Sequence, residues 1–155
     1  AVLIGAALKM GVLAVGADED VCRSFYEFGL NLGILFQLQD DYLDVFGEEN
    51  IFGKVSGGDI KENKRTLFFI HSIENGSKED VESLLNLYSF QSKDFDKKKR
   101  EVINIFKKNK SDVYLRHIIE NYNQKILNSI NNLPIEIKKQ KQFFDLFKTI
   151  LNRKL

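Results

Sequence analysis

The sequence has few of the residues that stabilise secreted or membrane-spanning proteins. Among 155 residues there is one cysteine, one proline and no tryptophan. The lone Cys22 cannot form an internal disulfide, and with two histidines it cannot complete a structural zinc site. This favours a reducing, cytoplasmic location. The chain also lacks an uninterrupted apolar run of roughly 20 residues, so we expect no membrane span.

Basic and acidic residues are unevenly distributed, although the formal net charge is only +1. Residues 1–62 carry 4 Lys/Arg and 11 Asp/Glu, and residues 63–155 carry 19 and 11, which gives 4 − 11 = −7 and 19 − 11 = +8. The longest basic run, at 97–100, has no interleaved aromatic residues. We therefore interpret this run as a solvated helix start and expect no nucleic-acid partner.

The spacing of apolar residues predicts an all-α fold, because no segment of useful length alternates as a strand does. Hydrophobic residues make up 43% of the chain, which is enough for a core. The first predicted helix covers residues 1–16 and is expected to be buried. The second runs from the acids at 18–20 to about Phe46, and the third begins at an Asp59–Glu62 capping box and ends at Ile73. Four more helices follow. The four open at Ser77, after the 97–100 run, at Ser111 (ending near Ile130) and after Pro134, the last with Phe143, Phe144, Phe147, Ile150 and Leu151 inward.

The most informative segment is an acidic stripe on the second predicted helix. At about 100° per residue, Asp40, Asp44, Gln37 and Asp41 fall within roughly a quarter turn. The rest of the circumference is mostly apolar, so we expect a core helix whose carboxylates line an internal cleft. The alternative is an acidic patch on a solvated helix.

Carboxylates this close repel one another and need neutralising. No Lys or Arg occurs between Ser24 and Gly53, so the local sequence supplies no cation. Distant basic side chains, a metal ion or partial protonation could each neutralise the stripe. Three carboxylates and an amide, with no His or Cys among them, suit a hard cation such as Mg²⁺.

A glycine- and lysine-rich segment follows this helix. Its glycines permit close backbone approach, the predicted helix N-terminus favours anions, and Lys54 and Lys64 flank the turn. An ordinary solvent loop has a similar composition. Beside a metal-binding stripe, however, the segment predicts a phosphate clamp, and the two together imply a diphosphate ligand.

These residues resemble the C-terminal part of the trans-isoprenyl diphosphate synthase (polyprenyl synthetase) family. The resemblance is carried by Phe36-Gln37-x-x-Asp40-Asp41-x-x-Asp44, the family's second aspartate-rich motif, followed by Gly53-Lys54, Gly57, Asp59 and Lys64-Arg65-Thr66. It extends to about Gly76. It implies the all-α isoprenoid synthase fold, with helices around a central cleft.

The resemblance also implies a reaction: an allylic diphosphate ionises with the help of Mg²⁺, and its prenyl group is transferred to isopentenyl diphosphate. Asp40 would be a direct metal ligand, with Asp41 and Asp44 acting directly or through water. The residues implied in catalysis or substrate binding are Phe36, Gln37, Asp40, Lys54, Lys64, Arg153 and Lys154.

The family's first aspartate-rich motif does not occur here, and Asp94-Phe95-Asp96 is no substitute. Because the chain also opens at Ala1 without a start methionine, we expect residues 1–155 to be the C-terminal part of one synthase domain, inactive alone, from a homodimeric enzyme. Two alternatives are a class I terpene cyclase, whose second motif usually contains Ser/Thr and Glu, and a non-catalytic partner subunit.

Overall fold

The predicted all-α class is confirmed. The computed structural model describes residues 1–47, 56–92 and 94–151, with side chains as far as residue 148, and these ranges contain helices and no strand. The helices of these ranges are α1 (Val2–Ala14), α2 (Glu19–Phe46), α3 (Gly58–Lys61), α4 (Leu67–Asn75), α5 (Lys78–Leu87), α6 (Phe95–Lys108), α7 (Ser111–Asn131) and α8 (Ile137–Leu151). No helix within them is long and apolar enough to cross a membrane.

Short polar side chains begin several of these helices. Asp18 accepts a hydrogen bond from the Val21 N–H at 2.9 Å before α2, and Ser77 accepts one from the Asp80 N–H at 3.2 Å at the start of α5. Such caps satisfy N–H groups that have no partner within the helix. The predicted starts of α2 and α5 are therefore confirmed.

The predicted start of α6 is wrong. Asp94 caps this helix by accepting from the Lys97 N–H at 3.0 Å, so the helix begins at Phe95. The basic run at 97–100 consequently lies inside its first two turns. The signal for the earlier start was Asp94, a short polar residue that can cap a helix and lies three residues before the run.

The predicted single helix from Asp59 through Ile73 is also wrong. The structure has the short α3, then a turn, then α4. Asn63 interrupts the helix because its backbone has φ 57, in the left-handed region. Asparagine tolerates this conformation better than most residues. The capping-box spacing concealed the break.

The described residues pack as two units. The first comprises residues 1–39 and 118–151, and its core is formed by α2 and α7, with Phe28, Leu32, Ile119 and Ile126 almost fully buried. From α8, Phe143 and Phe147 contact the Phe28 ring at centroid distances of 5.1 and 5.4 Å. The predicted inward direction of these two phenylalanines is confirmed.

Helices α1 and α2 pack closely where Gly5 of α1 meets Gly29 of α2. A Cβ on Gly29 would lie only 2.8 Å from the Gly5 Cα, so a larger residue does not fit there. Gly5 is nevertheless the buried residue of α1, and the large apolar residues Leu3 and Met10 are 80% and 62% exposed. The prediction that residues 1–16 form a buried helix is therefore wrong for this chain. Helix α2 covers only the narrow glycine side of α1.

The second unit comprises residues 40–117. At its centre, the Phe68 and Phe106 rings stack at 5.4 Å with an interplanar angle of 18°, and both side chains are fully buried. Helix α6 packs against α3, α4 and α5. This packing holds the short α3 against the core of the unit.

Candidate functional site

The end of α2 presents its acidic stripe on the less buried side of the helix. Leu43 and Val45 are buried, whereas Asp40, Asp41 and Asp44 are half-buried. One turn earlier on the same helix, Gln37 is exposed and Phe36 is 40% exposed. The predicted arrangement of one polar strip on an apolar helix is therefore present, although within this chain the strip is not enclosed.

Asp44 joins the end of α2 to the start of α3. Its Oδ1 accepts a hydrogen bond from the Gly58 N–H at 3.1 Å, and its Oδ2 accepts one from the Asp59 N–H at 3.0 Å. Burial raises the pKa of this carboxyl, and the backbone N–H of Asp59 acts in the opposite direction. Backbone N–H groups thus compensate part of the Asp44 charge, in addition to the three routes expected from the sequence.

The approach of α3 to Asp44 requires glycine at two positions. Gly57 has φ 92, in the left-handed region, and a Cβ placed there would lie 3.0 Å from Lys99 Cδ. A Cβ on Gly58 would lie 3.1 Å from Asp44 Oδ1. Glycine therefore permits a close approach to the chain's own carboxylate at the start of α3, and the predicted phosphate clamp stays a prediction.

Lys64 follows α3 and lies among acids. Its Nζ is 2.7 Å from Asp59 Oδ1 and 3.1 Å from Glu62 Oε2, while the Lys64 side chain remains 55% exposed. The hydrogen bond to Asp59 is the main reason that the pKa of Lys64 lies above its ordinary value. The lysine is thus fully charged and accessible at the mouth of the turn.

The carboxylates at the end of α2 suit a metal ion that is coordinated partly by a bound phosphate, better than one coordinated by protein side chains alone. Among residues 1–47, 56–92 and 94–151, no three Asp, Glu, His or Cys side chains are grouped so that they could hold a metal ion. Both oxygens of Asp44 already accept backbone hydrogen bonds. Mg²⁺ is commonly bound by one or two carboxylates, with water and phosphate oxygens completing its shell, and Asp40 and Asp41 fit this pattern.

The basic run at 97–100 contributes a residue that the sequence analysis missed. Lys98 is only 2% exposed, so the interpretation of the run as wholly solvated is wrong at this position. A helical signal was available, because Lys98, Val102 and Phe106 are spaced by four and all three are buried. The lysine's charge obscured this pattern.

Tyr88 is a second residue that the sequence analysis did not place near the acids. Its pKa is raised mainly by burial and also by the charges of Asp59 and Asp44. Tyr88 directly follows α5 as its C-cap residue, and nothing in the sequence distinguishes it from a core residue.

Several predicted site residues lie outside the described ranges. Lys54, with Gly53, falls in the segment 48–55, and Arg153 and Lys154 follow residue 151. Their roles remain predictions. Of the predicted substrate-binding lysines, only Lys64 lies within the described residues.

The chain is similar to a known family of proteins. Residues 1–106 match the model of a family described as polyprenyl synthetase. Geranylgeranyl diphosphate synthase of Methanosarcina mazei is 44% identical over 80 residues, which cover 52% of this chain and 25% of that protein. A crystal structure of a geranylgeranyl pyrophosphate synthase aligns with a TM-score of 0.86 and 38% identity, over 99% of this chain and 48% of the other.

A further solved structure is that of geranylgeranyl pyrophosphate synthase from Corynebacterium glutamicum, complexed with isoprenyl diphosphate and magnesium. It shares the fold with a TM-score of 0.74 at 22% identity, over 90% of this chain and 39% of that one. The present chain therefore covers less than half of each of these three proteins.

Proposed function

Because the chain belongs to the polyprenyl synthetase family, we propose that its protein is a prenyltransferase that joins an allylic diphosphate to isopentenyl diphosphate. The observation that supports this proposal best is the junction made by Asp44. Through its bonds to Gly58 and Asp59, it holds the α3 turn, which leads to Lys64, against the acidic end of α2. Carboxylates for a metal and a lysine for phosphate oxygens are thereby brought into one region.

Asp40 and Asp41 are the residues proposed to hold Mg²⁺, with Asp44 acting directly or through a water molecule. When bound, the metal would stabilise negative charge on the leaving diphosphate. A solved structure with the same fold is complexed with magnesium and isoprenyl diphosphate, which supports the choice of Mg²⁺ and a prenyl diphosphate as the bound groups.

Lys64 is proposed to bind the allylic diphosphate together with Lys54. To bind the diphosphate, Lys64 would give up its ion pairs with Asp59 and Glu62 and pair with phosphate oxygens instead. The pair with Glu62 is exposed, and exposed ion pairs contribute only about 0–1 kcal/mol in general. The pair with Asp59, whose side chain is 17% exposed, is the larger part of what Lys64 gives up. Gln37 would contact the diphosphate or the developing positive charge, Phe36 would pack on the prenyl chain, and Arg153 and Lys154 would contact isopentenyl diphosphate.

The proposed reaction is a substitution at the allylic carbon. The bond from that carbon to the diphosphate oxygen breaks, and both electrons leave with the diphosphate. The double bond of isopentenyl diphosphate then attacks the allylic cation, and a proton is lost from the new adduct. Negative charge develops on the leaving group, so positive groups fixed at that point lower the barrier.

A homodimer and a cytoplasmic location belong to the same proposal. The first is supported by the family resemblance, and the second by the single cysteine.

The test is an assay of the whole protein with isopentenyl diphosphate and a series of allylic diphosphates. We expect a product one isoprene unit longer than the allylic substrate, no turnover in EDTA, and recovery of turnover when excess Mg²⁺ is added. Turnover that persists in EDTA would contradict the metal requirement. Failure to consume isopentenyl diphosphate with any allylic substrate would contradict the transferase activity.

A further inference from the structure

Lys98 is a buried cation outside the residues used so far. It is 2% exposed, and its Nζ donates hydrogen bonds to Asn63 Oδ1 and, at 3.3 Å, to the Phe90 carbonyl oxygen. The Nζ also lies 5.5 Å from the centroid of the Tyr88 ring. All three groups are uncharged. Burying an ammonium is costly without strong compensation, and burial accordingly lowers the pKa of Lys98.

The contact with Asn63 is made at the break between α3 and α4. Asn63 has φ 57 and donates from its backbone N–H to the Ile60 carbonyl oxygen at 3.2 Å. Its Nδ2 lies 3.4 Å from the same Phe90 oxygen that accepts from Lys98. Lys98 therefore binds the Asn63 side chain and also the Phe90 carbonyl oxygen that this side chain contacts.

The next residue in the chain is Lys64. Its backbone N–H donates to the Asp59 carbonyl oxygen at 2.9 Å, and its Nζ contacts the Asp59 carboxylate. The direction in which Lys64 leaves the turn therefore depends on the conformation of Asn63. A helix turn that continued past Glu62 would point Lys64 elsewhere, because each residue advances the direction by about 100°.

A neutral residue at position 98 would suit the core better, since Val102 and Phe106 lie on the same buried face of α6. Local rules are often broken where function requires it. We propose that Lys98 is a positioning residue of the diphosphate site, which holds Asn63 in the left-handed conformation and so orients Lys64 toward the substrate. This inference rests on the proposed function.

The first experiment follows amide hydrogen exchange of the whole protein in Lys98→Met. We expect exchange at Asn63 and Lys64 to accelerate at least tenfold, with exchange in α7 unchanged. The control is Lys97→Met, which alters the exposed neighbouring lysine on the same helix and should leave the turn unaffected. Unchanged exchange at Asn63 and Lys64 in Lys98→Met would overturn the positioning role, whatever the kinetics.

The second experiment is a double-mutant cycle with Lys64→Ala. Lys98→Met alone should raise the KM for the allylic diphosphate about tenfold with a smaller change in kcat, as expected when one charge-assisted contact is misaligned. In the Lys64→Ala background it should have no further effect on this KM. Fully additive effects would show that Lys98 acts through general stability and would overturn the proposal.

Asn63→Ala provides a second route to the same contact if Lys98→Met folds poorly. Alanine cannot accept the lysine's hydrogen bond and adopts positive φ less readily than asparagine, so we expect a similar rise in KM. A KM equal to that of the unmodified protein would count against the proposal. If Lys64→Ala itself leaves the KM unchanged, the substrate role of Lys64 fails, and the exchange experiment alone then decides whether Lys98 holds the turn.

Discussion

Replacement of Asp40 by alanine is expected to reduce the turnover of the whole protein by about 10³-fold while leaving its fold intact. Fixed groups that stabilise developing charge typically contribute rate factors of this size. Asp40 is half-buried at the end of α2 and is our first choice as metal ligand. The measurement is kcat at saturating substrates and Mg²⁺, together with a thermal melt of the same preparation.

Asp40→Asn refines this test, because it keeps the side chain's shape and removes its charge. We expect a loss of turnover close to that of the alanine variant. Glu27→Ala is a suitable control, since Glu27 is an exposed acid on the same helix and should be dispensable. Undiminished turnover in Asp40→Ala would remove Asp40 from the site.

Replacement of Asp44 by alanine is expected to reduce turnover at least 100-fold through a different route. It leaves the Gly58 and Asp59 N–H groups without their acceptor and releases the α3 turn from α2. Hydrogen bonds to charged groups contribute roughly 1.5–3 kcal/mol, and the burial that raises the pKa of Asp44 offsets part of this. The loss in unfolding free energy should therefore be modest, about 1 kcal/mol.

The matched control for Asp44 is Asp18→Ala. Asp18 also accepts a hydrogen bond from a helix-start N–H, at 2.9 Å from Val21, but it caps the opposite end of α2. Loss of a cap costs about 1 kcal/mol. Urea melts should thus show similar destabilisation of the two variants, whereas only Asp44→Ala loses turnover. Equal turnover of the two variants would show that Asp44 has a purely structural role.

The helical period was sufficient to predict the all-α class and the acidic stripe. In α2, polar residues recur along one strip while Leu43 and Val45 are buried, and this pattern depends only on positions along one helix. Caps such as Ser77 were equally readable, because a cap and the N–H that it binds lie within one turn of each other.

Features that depend on contacts between distant segments could not be predicted in this way. Asp44 binds N–H groups that are 14 and 15 residues further along the chain, and Lys98 binds Asn63 across 35 residues. The apolar composition of α1 likewise predicts burial, although Leu3 is 80% exposed. Burial depends on what the rest of a protein places against a helix, and the helix's own sequence does not contain that information.

The acidic end of α2 and the Lys64 turn are proposed to form one site for a metal and a diphosphate. The most direct test is a crystal structure of the whole protein with Mn²⁺ and inorganic diphosphate, because the metal can be located by its anomalous signal. We predict a metal peak within ligand distance of the Asp40 carboxylate, and a diphosphate oxygen within hydrogen-bond distance of Lys64 Nζ. A metal bound away from Asp40 and Asp41, with Lys64 still paired to Asp59, would show that these residues do not form a shared metal and diphosphate site.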